Sequence, residues 1–400
     1  MLRVSLEQIE AGMVLARPVA SPSQPHRQVL PRDAEIPTDA VSHLRRLGID
    51  EVWVRCRRLE FLEQLICEDL AERRRDLYRQ VRENFEQVMH RATVGFDLQH
   101  YQSSLADLFD TLHQTTFGPL LLEQVGTVDN YLLSHSTNVC YVALLVGMKL
   151  QRYLEQERSH LPSAEAREVS RLGLGCLLHD IGKLRIPAEI LNKPGKLTAE
   201  EFEIMKRHPV LGLEMLDGKA DDDTADIVLN HHQRWDGRGY PERRDPVSGE
   251  KLPGLAGREI SIFSRIATIA DIYDAATSKR CYSDAKPPVQ VLHELRTWCR
   301  GAFDPVVEQA FYEVIPPFPI GSVVELSNCI EAAVVDFNPQ RPALPTVQCL
   351  RSASGEQLAE EIDLAECEGL DIVRVGQTDV RPYLELQRGE SPSAAVPVGN

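Results

Sequence analysis

Apolar residues recur at spacings of three and four between residues 58 and 92, a period typical of an amphipathic helix. The stripe consists of Leu62, Ile66, Leu70, Leu77, Tyr78, Val81, Phe85 and Val88. Charged residues fill the opposite face, and a regular heptad repeat breaks at Arg74. Two interpretations stay open: a signalling or dimerising helix that connects two units, or an ordinary helix that packs on its own domain.

The pattern differs in the rest of the chain. Strand-like runs stand at 14–16 and 51–54, the long middle part has a helical period, and strand signals return after residue 315. The sequence therefore predicts a mainly α fold with small β-containing parts at both ends. The predicted divisions are an N-terminal α/β unit at 1–57, a connecting helix at 58–98, a helical domain at 99–315, a small β-rich appendix at 316–385 and a disordered tail at 386–400.

Composition narrows the class of protein. The net charge of −16 argues against general binding to nucleic acid or to an anionic membrane. The nine cysteines are scattered without a Cys-x-x-Cys pair, which fits reduced cytosolic thiols. No signal peptide is visible, and the longest apolar stretch, 139–150, is too short to span a bilayer. A cytoplasmic protein is expected.

Potential metal ligands follow one another through the helical region. They are His135, His179, Asp180, His208, His231, His232 and Asp271. Imidazole and carboxylate groups of this kind build metal hydrolysis sites, and a carboxylate next to a histidine can bridge two cations. Asp271 lies in an apolar segment, where a lone buried carboxylate is costly and a cation would be a suitable partner.

This ordered set, followed by Gly-Arg-Gly-Tyr-Pro at 237–241, resembles the HD-GYP family over roughly residues 125–320. That family is a branch of the HD superfamily of metal-dependent phosphohydrolases. The resemblance implies an HD-domain helical bundle, a catalytic domain at 99–315, and hydrolysis of cyclic di-GMP to pGpG and/or GMP by a water that two bound metals activate. The small β appendix is similar to one often found after HD-GYP helices.

The resemblance also assigns roles to the ligands. It implies two divalent cations, iron or manganese, bridged by Asp180. One cation would be bound by His208, His231 and His232, and the other by His135, His179 and Asp271. Asp274, one turn after Asp271, is expected to lie outside the metal shell.

Further residues are candidates for contact with the substrate. Lys183 follows His179 by four residues, so a shared helical face is expected, from which Lys183 would pair with the scissile phosphate. In the family an arginine at the position of Arg280 grips phosphate, as guanidinium geometry permits. The turn formed by Arg238, Gly239, Tyr240 and Pro241 has two interpretations: a lip that contacts substrate or a partner, or a turn that aims the preceding histidines.

Two departures from the family pattern matter. Tyr131 and Gln233 stand where members with a third metal carry glutamate, which predicts two metals rather than three. Ser283 stands where a basic residue usually follows the Arg280 motif, so one phosphate contact is expected to be missing.

Two alternative functions stay open. One is an HD-type hydrolase of another cyclic dinucleotide or nucleotide. The other is a catalytically silent cyclic di-GMP-binding protein that signals through its N-terminal unit. Possible partners are GGDEF-domain or other signalling proteins and a second copy of the chain.

Overall fold

The computed structural model describes residues 1–10, 12–20, 28–37, 39–47, 49, 51–65, 68–90, 98–114, 131–245, 247–278 and 285–384. These residues form two compact units. The first is drawn from within Met1–Ile66, Lys286–Trp298 and Ile315–Asn400, and the second from within Cys67–Ala285 and Cys299–Val314. No helix in the described ranges is long and apolar enough to cross a membrane.

Helices dominate the second unit and strands the first. The helices are α1 (Ala40–Arg46), α2 (Glu68–His90), α3 (Leu98–Gln114), α4 (Tyr131–Lys149), α5 (Gln151–Glu157), α6 (Ser163–Ala166), α7 (Ser170–Leu178), α8 (Ala188–Leu191), α9 (Ala199–Met205), α10 (His208–Leu216), α11 (Asp222–Asn230), α12 (Ile262–Thr277), α13 (Pro288–Trp298) and α14 (Pro305–Val314). The strands are β1 (Leu2–Ser5), β2 (Val19–Ala20), β3 (Gln28–Leu30), β4 (Glu51–Val54), β5 (Val323–Leu326), β6 (Glu331–Asp336), β7 (Thr346–Arg351), β8 (Glu361–Asp363), β9 (Ile372–Val375) and β10 (Thr378–Asp379). The helical secondary structure with β parts at both ends confirms the predicted fold class.

The first unit joins the two ends of the described chain. Strands β1 and β4 pair antiparallel, as do β2 and β3, and the C-terminal strands form one sheet in the order β10-β9-β5-β6-β7-β8. Met1 and Leu59 pack in one apolar cluster with Val335 and Leu350 of the larger sheet. The segments predicted as an N-terminal unit and an appendix therefore share a hydrophobic core.

Trp53 and Gly321 meet where those two parts of the first unit pack together. Gly321 has a φ of +86°, and a Cβ atom there would lie 2.6 Å from the ring of Trp53. The carbonyl of Gly321 also accepts a hydrogen bond of 3.1 Å from the backbone N–H of Arg3. Only glycine suits this conformation and this space.

The core of the second unit lies around α4. The helix α4 packs against α7 and α12, and α7 packs in turn against α11. From Val139 to Val146 every side chain of α4 is buried, as the absence of charge in this stretch would predict. Two of the predicted metal ligands lie on these four helices and four more follow directly after one of them, so the hydrophobic core positions these ligands.

The predicted long helix is shorter in the structure than its apolar stripe. It is α2, and a 3-10 helix at Glu60–Leu65 precedes it. Arg74, where the heptad pattern breaks, is buried in the second unit: its guanidinium donates to Asn138 Oδ1 at 3.1 Å and lies 4.1 Å from the centre of the Tyr141 ring. These contacts favour a helix that packs on its own domain.

Candidate metal centre

The predicted ligands converge from different helices of the second unit. His135 lies on α4, His179 at the end of α7 and Asp271 on α12. The remaining ligands lie at helix ends: Asp180 follows α7, His208 begins α10, and His231 and His232 follow α11. All are buried except His232, whose side chain is 20% exposed.

Asp180 presents its two oxygens to different histidines. Its Oδ1 lies 3.3 Å from His208 Nε2 and 4.0 Å from His231 Nε2. Its Oδ2 lies 3.4 Å from His179 Nε2 and 3.6 Å from His135 Nε2. A carboxylate placed between two groups of imidazoles in this way can bridge two cations.

Asp271 faces the same centre from the side of α12. Its Oδ1 lies 3.0 Å from His135 Nε2 and 3.8 Å from His179 Nε2. Its Oδ2 lies 3.6 Å from Nδ1 of His232. Both carboxylates thus touch histidines that come from more than one helix.

The orientation of each histidine ring follows from a local acceptor. Nδ1 of His179, His208 and His231 donates to a backbone carbonyl three or four residues earlier, at 2.7, 2.8 and 3.1 Å. Nδ1 of His135 donates to Asp274 Oδ2 at 2.8 Å. Because these oxygens accept, each ring carries a proton on Nδ1 and turns its Nε2 atom towards the centre, the atom through which a metal ligand would bind.

Asp180 has a position close to α10 because of a glycine. A Cβ atom at Gly182 would lie 1.9 Å from the carbonyl oxygen of His208 and 2.5 Å from the backbone nitrogen of Gly212. The 3-10 turn at Ile181–Arg185 can therefore contact α10 directly. This contact brings His208 within reach of Asp180.

Two atoms at the centre indicate that a ligand belongs there. His179 Nε2 and Asp180 Oδ1 are fully buried, and neither has a hydrogen-bond partner among the described residues. A buried polar atom without a partner is costly, and a divalent cation would satisfy both. The ligand atoms of Asp180, His208, His231 and His232, and those of His135, His179 and Asp180, lie within 4.8 Å of one another, as do those of His179, His231 and Asp271. This donor set fits two cations.

The protonation states also suit metal binding. Burial lowers the pKa of His208 to about 3 and that of His232 to about 4, so both rings are neutral near pH 7. Burial acts to raise the pKa of Asp180, but Lys183 and His179 outweigh it and hold that pKa well below its usual range. Metal ligands must be deprotonated in this way.

Lys183 reaches the centre by a route that the sequence did not predict. Helix α7 ends at Leu178, and Lys183 lies on the 3-10 turn that follows, so the expectation of a helical face shared with His179 is wrong. Its Nζ atom instead donates to Asp180 Oδ2 at 2.5 Å. The ammonium group thus adds positive charge beside the carboxylate that faces both groups of histidines.

The Gly-Tyr-Pro turn folds back on the histidine pair. A Cβ atom at Gly239 would lie 2.5 Å from the carbonyl oxygen of His232, and the backbone N–H of Tyr240 donates to that oxygen at 3.1 Å. The Tyr240 ring stacks on the His232 ring with centroids 4.5 Å apart. Gln233 Nε2 donates to the carbonyl of Pro241 at 3.0 Å, a bond that glutamate could not make. The turn therefore has a structural role in orienting His232, while Arg238 is exposed.

Some predicted site residues fall outside the described ranges. Arg280 and Ser283 do, as does the side chain of Tyr131 at the start of α4. Their assignments stay predictions. Phe202, conversely, was missed: it lies on α9, is 45% exposed, and its ring centre is 6.4 Å from that of Tyr240. An aromatic residue in a short polar helix just before His208 was the signal for it.

Comparison with known proteins identifies the fold of this region. Residues 152–307 match the family model of the HD domain. The chain is 35% identical over 263 residues to the cyclic di-GMP phosphodiesterase PA4108 of Pseudomonas aeruginosa, a match that covers 65% of this chain and 56% of that protein. It is 40% identical over 149 residues to a cyclic di-GMP phosphodiesterase of Thermotoga maritima, which covers 36% of this chain and 38% of that protein.

A third relative is named for another substrate. The chain is 35% identical over 158 residues to the 3'3'-cGAMP-specific phosphodiesterase 2 of Vibrio cholerae, which covers 39% of this chain and 28% of that protein. The chain thus spans little more than half, or less, of the length of these relatives. The family match, these similarities and the residues at 179–180, 231–232 and 239–241 agree: the chain carries an HD domain of the HD-GYP type.

Proposed function

We propose that this chain is a metal-dependent phosphodiesterase that hydrolyses cyclic di-GMP to pGpG and/or GMP. The observation that carries the proposal is Asp180, whose two oxygens face two different pairs of histidines at 3.3–4.0 Å. Similarity to relatives named cyclic di-GMP phosphodiesterases supports the choice of substrate.

The proposed cofactors are two divalent cations, iron or manganese. His208, His231 and His232 would hold one cation, His135, His179 and Asp271 the other, and Asp180 would bridge them. A donor set of imidazoles and carboxylates without thiolate suits these metals. When bound, such a pair of cations lowers the pKa of a water molecule and so supplies a nucleophile near neutral pH. The number stays at two because Gln233 offers an amide, rather than a carboxylate, beside the histidine pair.

Lys183 is proposed as the catalytic cation that the chain itself provides. Its ammonium group lies on Asp180 Oδ2, and its side chain keeps 20% of its surface exposed, so it is accessible from the substrate side. There it would offset negative charge that develops on a non-bridging phosphate oxygen. Arg280 and the exposed Arg238 are proposed as further phosphate contacts, and Gly239, Tyr240 and Pro241 as the adjoining lip of the site.

A second candidate substrate is another cyclic dinucleotide. Two observations favour keeping it: the similarity to the 3'3'-cGAMP-specific relative of Vibrio cholerae, and Ser283 in place of a basic residue. A catalytically silent binding protein is less well supported, because every ligand expected for a two-cation site is present at the centre.

A cellular location and macromolecular partners are also proposed. Cysteines that remain unpaired throughout the described part of the chain suit a cytoplasmic location. The proposed macromolecular partners are GGDEF-domain or other signalling proteins and a second copy of this chain.

The test is anaerobic purification with metal analysis, followed by chromatography of cyclic di-GMP after incubation with the iron- and manganese-loaded protein. We expect about two metal ions per chain and conversion to pGpG or GMP. Parallel incubations with 3'3'-cGAMP and cyclic di-AMP decide between the substrates: equal or faster cleavage of either would contradict the preference for cyclic di-GMP.

Variants connect that activity to the site. Asp180→Ala is expected to lose both the metals and turnover, because it removes the shared carboxylate. Lys183→Met should keep the metals and lose at least tenfold in kcat, since a positioned charge of this kind contributes on the order of tenfold or more. Lys149→Met, which removes a surface ion pair with Glu313, is the matched control. A fully active Lys183→Met protein would remove Lys183 from the mechanism.

A further inference from the structure

Phe202 is an exposed aromatic residue next to the metal centre. Helix α9 contributes no buried side chain, and 45% of the Phe202 surface is accessible to solvent. A single exposed apolar residue is common on protein surfaces and needs no function by itself. The position of Phe202 is what gives it significance.

A series of rings leads from the metal centre to Phe202. The His232 and Tyr240 rings are stacked at 4.5 Å with an interplanar angle of 27°. The Tyr240 and Phe202 rings meet edge to face at 6.4 Å with an angle of 75°. The Nζ atom of Lys206, one turn further along the chain, lies 5.1 Å from the centre of the Phe202 ring. The outermost ring is therefore held in place and has a cation beside it.

We propose that Phe202 and Lys206 form a subsite for a purine base of the nucleotide whose phosphate is cut at the metal centre. The inference rests on the proposed function in that it takes the substrate to be a phosphodiester that carries bases. An exposed, positioned ring offers a face on which a base stacks. Tyr240 joins this platform to His232, so a base on Phe202 belongs to a nucleotide whose phosphate is at the cations.

Lys206 gives the subsite a preference among bases. Guanine presents two acceptors, O6 and N7, on one edge, whereas adenine presents N7 beside an amino donor. An ammonium group next to the stacking ring therefore favours guanine. Lys206 also pairs with Glu203 at 2.5 Å, which keeps its charge on this side of α9.

The experiment is isothermal titration of the manganese-loaded protein with GMP and with ribose 5-phosphate, which has the same sugar and phosphate but no base. Phe202→Leu keeps an apolar side chain and removes the aromatic face. The affinity for GMP should fall on the order of tenfold, because loss of one base–aromatic stack has about that effect, while the affinity for ribose 5-phosphate should not change. Phe202→Tyr should retain the affinity for GMP.

Controls separate the subsite from a general effect. Val306→Ala changes a side chain of similar exposure, 44%, on α14 and should alter neither affinity. Lys206→Met should lower the affinity for GMP more than the affinity for AMP.

The subsite is contradicted if GMP fails to bind, if Phe202→Leu leaves the affinity for GMP unchanged, or if Phe202→Leu lowers the affinities for GMP and ribose 5-phosphate equally. In the last case Phe202 would act on the fold or the phosphate site.

Failure of the subsite and failure of the proposed enzyme activity give different results in these experiments. A base-dependent loss of GMP binding without hydrolysis of any cyclic dinucleotide would retain the subsite and refute the enzyme activity. Hydrolysis of cyclic di-GMP with unchanged KM in Phe202→Leu would retain the enzyme activity and refute the subsite.

Discussion

The protonated nitrogen of each histidine ligand is determined by residues outside the ligand set. Nδ1 of His135 bonds to Asp274, while Nδ1 of His179 bonds to the carbonyl of Cys176. The order of residue types along the chain predicted which side chains meet, because those types have few other reasons to share an apolar region. It could not predict the tautomers, since the acceptors are backbone carbonyls one turn away and a carboxylate whose direction depends on packing.

His135 differs from the other ligands in its titration. Burial acts to lower its pKa, but the hydrogen bonds with Asp271 and Asp274 outweigh it and raise the pKa to about 9. In the metal-free protein His135 is therefore protonated at pH 7.5, and a metal ion at Nε2 must displace that proton. We expect metal uptake to release about one proton more at pH 7.5 than at pH 10, because His135 loses its proton only at the lower pH while a metal-bound water contributes at both, and we expect metal affinity to rise with pH up to about 9.

Calorimetry of manganese binding in buffers of different ionisation enthalpy measures that release. His208 and His232, with pKa values of about 3 and 4, are already neutral at pH 7.5 and should contribute none. Proton release that persists unchanged at pH 10, or that is absent at pH 7.5, would contradict the assignment to His135.

Gly182 is the residue on which the approach of His208 to Asp180 depends. In Gly182→Ala the added methyl group would overlap the backbone of α10, which cannot move aside without displacing His208. We expect a loss of about 2 kcal/mol or more in the free energy of unfolding, together with weaker metal binding. Gly147→Ala is the control, because its added methyl group meets only side-chain atoms of Leu172 and Val169 at 3.0 and 3.1 Å. Equal metal content in the two variants would argue against this role.

At the scale of elements, α2 shows how a local pattern can predict a helix without predicting its partner. Its apolar stripe predicted a helix over 58–92, of which the structure has 68–90, but the arginine within that stripe gave no indication of what surrounds it. In the structure Arg74 meets Asn138 and Tyr141, both on α4, the helix that carries His135. That pairing brings together residues far apart in sequence, so no local period contains it.

Removing the Arg74 side chain tests this contact. Arg74→Ala should lower the free energy of unfolding by on the order of 3 kcal/mol, because it leaves Asn138 without its donor and opens a cavity against Tyr141. Arg75→Ala removes an exposed neighbour whose hydrogen bond within the described ranges is local, to the carbonyl of Ala71, and should have little effect. Thermal unfolding of the metal-loaded proteins compares them, and similar midpoints for the two variants would place Arg74 outside the core.

For the whole molecule, the main fact is that both ends of the described chain contribute to one unit. Strand signals at each end were visible in the sequence, and the six-stranded sheet confirms the β character of the C-terminal part. Their common core was not predictable, because pairing between such distant segments depends on surface complementarity, as between Trp53 and Gly321. The hydrophobic pattern of either segment does not indicate this pairing.

A pair of glycine variants measures the contribution of this contact. Gly321 and Gly355 have φ values of +86° and +83°, so alanine is strained to a similar degree at both. Only Gly321→Ala also meets Trp53, since nothing lies within 4 Å of the Cβ position at Gly355. We expect Gly321→Ala to be less stable than Gly355→Ala by about 1–3 kcal/mol. Equal unfolding midpoints, followed by tryptophan fluorescence, would show that the two segments do not meet there.

The shared core also determines the order in which the two units can fold during synthesis. As the chain leaves the ribosome, Met1 and Leu59 emerge long before Val335 and Leu350, the residues that cover them. Domains usually fold in the order in which they are made. Here the second unit, whose last residue is 314, can close while the earlier segment of the first unit still waits for its partners. A nascent chain that stalls after that point would hold a finished metal centre and an uncovered apolar N-terminal segment, a combination that chaperones and proteases can distinguish from the finished protein.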